Sequence, residues 1–355
     1  MDSQYKAKYH SQYALCKESE LKHLLCLISV FFILIPLLAI SQNYAEGKIK
    51  VAIVKNRSGG PTVMEKGGLL EMLSELGCEV AKVSTVKLTP EKEKQYGDWN
   101  RAALESQHLG KLVAENNKDE YFTIGLLTNC TDLLGMLAGL QHLGPAKSSQ
   151  KSDNRSLQST GLAGRKPLRV GLVWIDAHAD FNTPETTLSG MLGGMPVAIA
   201  SGMCLTRLRL KAGLDPALPT KYIVMAGLRD VDPLEQELLD RSQCEMLSVE
   251  DIRNLSKNIH HQMERLSRLT EIIYVHIDMD VLDPKEVLGH PLTAPEGPTS
   301  TELAAALEVM FQYEKAGAIG IASLPFGERD KNLVSLNAAY RLIEGAIKGI
   351  KKRKD

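Results

Sequence analysis

The sequence predicts an α/β protein built on a mostly parallel sheet, and three observations carry that expectation. Short apolar runs recur with the length of strands buried on both faces, segments of helical periodicity lie between them, and the two kinds alternate as βαβ units do. The first run is "KIKVAIV" (Lys48–Val54), followed by the helix-period stretch "TVMEKGGLLEMLSELG". Next comes "YFTIGLLTNCTDLLGMLAGL" (Tyr121–Leu140), which reads as an apolar strand, a polar turn carrying Cys130 and Asp132, and an apolar helix. Four further strands follow: "RVGLVWI" (Arg169–Ile175), "KYIVMAG" (Lys221–Gly227), "EIIYVHI" (Glu271–Ile277) and "GAIGIASL" (Gly317–Leu324). Helical patterns separate them, among them "LSGMLGGMPVAIASGMCLTRLRLKAG" and "STELAAALEVMFQYEKAG". In the second, Thr299 and Glu302 fit a capping box at the helix start.

Residues 145–167, rich in Ser, Lys, Asn and Gly, have no periodicity and read as a flexible surface loop within one domain spanning 48–355. The chain of 355 residues, 44% hydrophobic and 24% charged, is long enough to bury a substantial core. A net charge of −1 and a pI near 6.8 leave no basic excess for tracking phosphates, so nucleic acid is excluded as a partner and a small molecule is expected.

The N-terminus departs from this pattern. After a polar region, 1–23, the uninterrupted apolar run "LLCLISVFFILIPLLAI" (Leu24–Ile40) lies between Lys22 and the polar "SQNYAEGK". Residues 24–41 therefore read as a signal peptide or a membrane anchor. Ala39 and Ser41 offer a small-x-small cleavage pattern before Gln42. The protein is expected to be exported or membrane-anchored through this segment, cytoplasmic if the segment is unused, and to touch membrane nowhere else. The cysteines, Cys16 and Cys26 in the leader and Cys78, Cys130, Cys204 and Cys244 in the body, show no CxxC pair, and their spacing demands no disulfide.

Two of the strands run into carboxylates. "VWIDAHAD" sets Asp176, His178 and Asp180 at alternate positions, and "VHIDMDVLDP" does the same with Asp278 and Asp280. Alternate side chains of an extended chain share a face. Four carboxylates and one imidazole repel one another unless cations neutralise them, and hard oxygen donors with one imidazole suit Mn²⁺ or a similar divalent ion. Carboxylates that bridge two ions imply an activated water at neutral pH, hence metal-assisted hydrolysis.

"WIDAHADFNTPETTLSGMLGGMP" and "HIDMDVLDP" resemble the two metal-binding signatures of the ureohydrolase superfamily of arginase, agmatinase and formiminoglutamase. "GGPTVMEKGGLLEMLSELGCEV" and "AGLRDVDPLEQELL" add to the resemblance, which runs from about Lys48 onward. It implies a three-layer α/β/α domain, two manganese ions, hydrolysis of a guanidino- or formimino-type C–N bond through a metal-bridging hydroxide, and a homo-oligomer, trimer or hexamer. By the same resemblance Asp176 and Asp278 bridge the ions and are the catalytic carboxylates, His178 and Asp280 bind one ion, and Asp180 binds the other. Asn182, Thr187 and Ser189 match residues that hold a substrate α-carboxylate, and Asp232 and Glu235 match residues that hold its α-amino group, so an amino-acid-like substrate is implied.

Three positions depart from the family pattern. Cys130 stands where a metal-binding histidine is expected, Gly193 where arginases carry a histidine associated with proton transfer, and Pro325 where a glutamate pairs with the guanidinium. Cys130 is either a thiolate ligand, which biases its ion toward Zn²⁺ or Fe²⁺, or a small buried hydrophobe, which leaves that position empty. Asp132 and Asn129 are alternative oxygen donors. Glu296 and Glu328 are candidate substitutes for the lost glutamate or, alternatively, solvated loop acids. A second reading is a catalytically impaired descendant that binds a metal or an amino acid as a sensor.

Overall fold

The structure is a computed structural model that describes residues 48–142 and 166–354. The leader run Leu24–Ile40 and nearly all of the 145–167 loop lie outside the described residues. Among the described residues no helix is long and apolar enough to cross a membrane.

Among the described residues eight strands form one sheet: β1 (Ile49–Lys55), β2 (Cys78–Thr85), β3 (Phe122–Leu126), β4 (Val170–Ile175), β5 (Ile223–Ala226), β6 (Glu245–Leu247), β7 (Ile272–Asp278) and β8 (Ala316–Ala322). Their order is β2-β1-β3-β8-β7-β4-β5-β6, and every pairing is parallel. Strands covered on both faces need apolar side chains at every position, and β3, β4 and β5 are buried throughout their length. All six strands expected from apolar runs are present.

The two additional strands, β2 and β6, are the edges of the sheet. An edge strand has one neighbour and leaves part of its surface to water, so it needs no continuous apolar run. In β2 only Cys78 and Ser84 are fully buried, and of the three residues of β6 only Leu247 is.

Helices cover both faces. On one side lie α1 (Asp98–Lys118) and α2 (Leu133–Gln141), whose Leu109, Val113, Met136 and Leu137 share a core with Leu172 and Trp174 of β4. The helix α3 (Pro233–Asp240) follows β5. On the other side lie α4 (Lys257–Leu269), α5 (Ser300–Met310) and α6 (Val334–Lys351), whose Met263, Leu307 and Ile343 meet Val173 and Ile175 of β4. The alternation of β4 side chains between two cores is the direct signature of a three-layer α/β/α domain.

The long helical pattern expected over Leu188–Gly213 is instead broken into short turns, Leu192–Gly194, Pro196–Ala200 and Thr206–Ala212. Gly190 and Gly202 take φ of 71° and 79°, and Pro196 can only open a helix, so the apolar periodicity is interrupted twice. The capping box at α5 is formed: Thr299 N donates to Glu302 Oε2 at 2.7 Å and Glu302 N to Thr299 Oγ1 at 3.2 Å.

One close approach seats the turn that carries Cys130. A Cβ at Gly139 on α2 would lie 2.5 Å from Val113 Cβ and 2.6 Å from the Gly110 carbonyl oxygen on α1. The two helices cross at a distance only glycine permits, which fixes how far α2 and the turn before it sit from the sheet.

Candidate metal centre

The carboxyl ends of β3, β8, β7, β4 and β5, adjacent in the sheet, point into one cavity of about 480 Å³. This edge is where open parallel sheets offer side chains to ligands. Cys130 arrives from the turn after β3, Asp176 to Asp180 from the end of β4, Asp278 and Asp280 from β7 and the turn behind it, and Ser323 to Phe326 from the end of β8.

Five expected side chains meet here. His178 Nδ1 lies 3.3 Å from Asp176 Oδ1 and 3.2 Å from Asp280 Oδ2. Asp176, Asp180, Asp278 and Asp280 are all buried, and among the described residues three groups of donor atoms come close enough to share a cation: Cys130–Asp176–Asp180, Asp176–His178–Asp280, and Asp278–Asp280–His290.

The backbone holds this arrangement. His178 N donates to Asp176 Oδ1 at 2.7 Å, Asp280 N to Asp278 Oδ1 at 3.0 Å, and Ala177 N to Asp280 Oδ1 at 3.4 Å. Asp180 sits at φ 47° and Ser323 at φ 61°, left-handed conformations that ordinary residues seldom adopt and that cluster where a site dictates them. The next residue after Asp180 is clamped: Phe181 N donates to Glu235 Oε1 at 2.6 Å, and Glu235 Oε2 accepts from Asp232 N at 3.2 Å. Both oxygens of Glu235 are thus engaged with backbone, so this residue braces the loop that presents Asp180.

So many buried carboxylates resist ionising together. Burial, followed by the neighbouring carboxylates, pushes Asp176 and Asp180 well above the usual range, and burial with Asp280 raises Asp278 to about 7. Asp280 goes the other way: against its burial, the hydrogen bond and charge of His178 hold it low. His178 is raised to about 11, its burial outweighed by hydrogen bonds to Asp176 and Asp280. A site that gathers negative charge in this way is chemically matched to a cation.

Two donors bound to one ion at about 2.1 Å are separated by about 3.0 Å at right angles and about 4.2 Å when opposite. The His178 contacts at 3.3 and 3.2 Å fall within that window without movement. The Cys130 thiol faces the cluster, 3.9 Å from Asp176 Oδ2 and 2.6 Å from Asp278 Oδ2, with Ser323 Oγ donating to the same Asp278 oxygen at 2.5 Å. A sulfur at about 2.3 Å and an oxygen at about 2.1 Å from one ion stand about 3.1 Å apart at right angles, so this side must open by roughly half an ångström to admit it. Burial and then the Asp278 charge push the Cys130 thiol well above its ordinary pKa.

The remaining candidates divide. Asn182, Ser189, Asp232 and Glu235 line the cavity, with Asn182 Nδ2 donating to Asp232 Oδ2 at 3.0 Å. Thr187 does not; its hydroxyl accepts from Gly190 N at 3.1 Å and lies 3.4 Å from Ser189 Oγ. Asp132 is a turn residue, not an oxygen donor to the cavity: it accepts from Thr128 N at 2.9 Å and Asn129 N at 3.3 Å. Asn129 reaches the cavity wall but spends its carbonyl oxygen on Thr131 N at 2.9 Å. Glu296 and Glu328 lie outside the lining, and the wall after β8 is Leu324, Pro325 and Phe326, with Arg329 beyond. Residues absent from the sequence-based expectation are His290, Ser323, Arg329 and Asp230, whose Oδ2 stands 3.7 Å from His178 Nε2. His290 lies ten residues past Asp280 in a Gly- and Pro-rich loop, where neither periodicity nor spacing marks it.

Comparison with known proteins matches residues 158–322 to the arginase family. The chain is 31% identical to human arginase-1 over 235 residues, 63% of this chain and 66% of that protein, and 27% identical to arginase of Entamoeba histolytica over 267 residues, 73% and 80%. It spans 60% of the length of human arginase-2. Among solved structures, arginase from Bacillus cereus superposes with a TM-score of 0.70 at 19% identity, covering 84% of this chain and 98% of that one. Formimidoylglutamase from Bacillus subtilis superposes at 0.60 with 16% identity, covering 86% and 88%. At these identities the structural likeness speaks for the fold.

Proposed function

This chain belongs to the ureohydrolase superfamily that includes the arginases, and from that membership we propose a metal-dependent hydrolase that cleaves a C–N bond of a guanidino- or formimino-type amino-acid derivative. The observation that carries the proposal is the convergence of Asp176, His178, Asp180, Asp278 and Asp280 on one cavity at distances suited to cations. Divalent ions, two Mn²⁺ in the reading the family supports, supply an activated water and a Lewis acid when bound. In this reading Asp176 and Asp278 reach both ion positions, His178 and Asp280 hold one, and Asp180 with Cys130 serves the other, a position the thiol biases toward Zn²⁺ or Fe²⁺.

Substrate placement follows from the cavity's two ends. Asn182 and Ser189, with Thr187 adjacent, offer neutral donors to an α-carboxylate, and Asp232 offers its charge to an α-ammonium. At the reacting end the wall is Pro325 and Phe326, which cannot ion-pair with a plain guanidinium. A formimino or substituted guanidino head is therefore favoured over free arginine. Assembly as a trimer or hexamer and export or anchoring through Leu24–Ile40 belong to the same proposal and rest on sequence and resemblance.

The second reading, a silent metal- or amino-acid-binding protein, is favoured by one observation: the 2.6 Å separation of Cys130 Sγ and Asp278 Oδ2 narrows one ion position. Turnover separates the two. Purified protein reconstituted with Mn²⁺ should release urea, ammonia or formamide from at least one member of a panel of guanidino and formimino amino acids. Full metal occupancy with no release across the panel would leave the binding reading standing.

A further inference from the structure

Apolar side chains gather at the mouth of the cavity. Among its lining residues Leu188 is 75%, Met191 49%, Leu292 46% and Phe326 47% exposed, so these four ring the opening while the acids lie buried below them. They come from three separate loops: Leu188 and Met191 from the one after β4, Leu292 from the one after β7, and Phe326 from the one after β8. A single exposed apolar side chain is ordinary on a protein surface, but several converging on one concave site mark a surface meant to be covered.

The collar is held by backbone packing. Gly59, at φ 73°, runs under the Phe326 ring, where a Cβ would stand 3.2 Å from Cε1, and a Cβ at Gly60 would lie 2.9 Å from both Cβ and the carbonyl oxygen of Leu324. The turn after β1 therefore fixes the wall that ends in Phe326. On the facing loop Gly289, at φ 74°, passes so close to Arg329 that a Cβ would meet Arg329 Cβ at 2.8 Å, which keeps Leu292 beside the same opening. Arg229 anchors the far end of that loop, donating to the carbonyl oxygens of Pro295 at 2.7 Å and Ala294 at 3.1 Å. A surface fixed in advance loses little entropy when a ligand covers it.

The apolar surface continues inward. Leu324 and Pro325 are buried and carry it from Phe326 to the reacting end, and their side chains offer no hydrogen-bonding atom. Gly193 and Gly194 also line the cavity, and a Cβ on either meets nothing within 4 Å, so room is left beside the head of the substrate. A formimino head is too small to reach from this space to the collar.

We propose that the collar of Leu188, Met191, Leu292 and Phe326 is a subsite for an alkyl or aryl group on the terminal nitrogen of a guanidino substrate. The inference rests on the hydrolase reading above and narrows its substrate class to N-substituted guanidino amino acids. In the reaction, the oxygen of water bonds to the guanidino carbon, the bond from that carbon to the chain nitrogen breaks, and that nitrogen leaves as the amine with a proton from the water. The second product is an N-substituted urea.

The probes are L-arginine and L-arginine carrying an n-butyl group on a terminal guanidino nitrogen, which keeps the positive charge and adds only apolar surface. Isothermal titration calorimetry of the full chain loaded with Mn²⁺ reads a preference in either case, as a ratio of kcat/KM if the probes are hydrolysed and of Kd if they are only bound. Each buried methylene is worth roughly fourfold, so the butyl probe should be preferred by about tenfold or more on this half-open surface, and Phe326→Ala should cut the preference to about threefold or less. Equal or poorer handling of the butyl probe by the wild type overturns the subsite, as does binding of neither probe. An undiminished preference in Phe326→Ala together with a changed assembly size in sedimentation velocity gives the collar to a second copy of the chain and overturns it too. Ornithine in the cell afterwards tests the hydrolase reading by itself: its absence with the preference intact overturns that reading and leaves the subsite standing.

Discussion

Replacing His276 with phenylalanine probes how the sheet interior treats charge next to the carboxylate cluster. His276 is fully buried on β7, two residues before Asp278. Its ring stacks on Trp174 with centroids 4.4 Å apart and planes 10° apart, Tyr274 Oη lies 2.9 Å from Nδ1, and Nε2 has no partner among the described residues. Burial lowers its pKa from 6.5 to about 3. Below the unfolded value the unfolded chain takes up a proton that the folded chain refuses, so stability falls as pH drops through the window from 6.5 toward 3. Each pH unit in that window is worth about 1.4 kcal/mol, which makes the loss about 3 kcal/mol at about pH 4. Phenylalanine keeps the stack and binds no proton. Asp176, Asp180, Asp278 and Asp132 are raised instead and contribute with the opposite sign, but they are common to both proteins and cancel in the difference. Urea unfolding with a chelator present, at about pH 7.5 and about pH 4, should show His276→Phe gaining about 3 kcal/mol on wild type between the two conditions. A relative gain under about 1 kcal/mol would refute the claim that a neutral imidazole is locked under the site.

Three further changes bear on the chemistry. A Cβ at Gly193 meets nothing within 4 Å, so Gly193→His should fold with a stability change of no more than about 0.5 kcal/mol and raise kcat by roughly tenfold or more if an imidazole at this position relays protons; unchanged kinetics counts against that role. Cys130→Ala should lower metal stoichiometry toward one ion per chain, and Cys130→His should preserve two; mass spectrometry finding two tightly held ions in Cys130→Ala would make the thiol a packing residue. Asp232→Asn should raise KM for an α-amino-acid substrate by roughly tenfold with kcat little changed and Mn²⁺ binding intact, whereas an equal loss in kcat would place Asp232 in the reacting part of the site.

The parts of this molecule legible in the sequence share a physical cause. Central strands such as β4 and β7 are covered on both faces, so every residue from Val170 to Ile175 and from Ile273 to Asp278 is buried and the apolar run is visible in one dimension. The alternating acids at their ends are visible for the same reason, because a strand end fixes which side chains share a face. What escapes is set by contacts remote in sequence. Edge strands β2 and β6 have a single neighbour each and no continuous apolar demand. The broken helices after Ser189 obey Gly190, Pro196 and Gly202, which local apolar periodicity conceals. Glu235 lines the cavity, and it also holds Phe181 N and Asp232 N, a role visible only once the loop after β4 meets α3. His290 reaches the cluster because Arg229 and Gly289 fold its loop back over the sheet edge, and no spacing rule connects it to Asp280.

Titration of the metal-free chain with Mn²⁺, wild type beside Asp176→Ala, tests the metal centre most directly, because Asp176 belongs to the Cys130 and the His178 donor groups alike. Saturable binding is expected in the wild type, and a loss of about 100-fold or more in the variant at unchanged secondary structure. Absence of binding in the wild type, or equal binding in Asp176→Ala, would contradict the assignment of this carboxylate cluster as the hydrolytic centre.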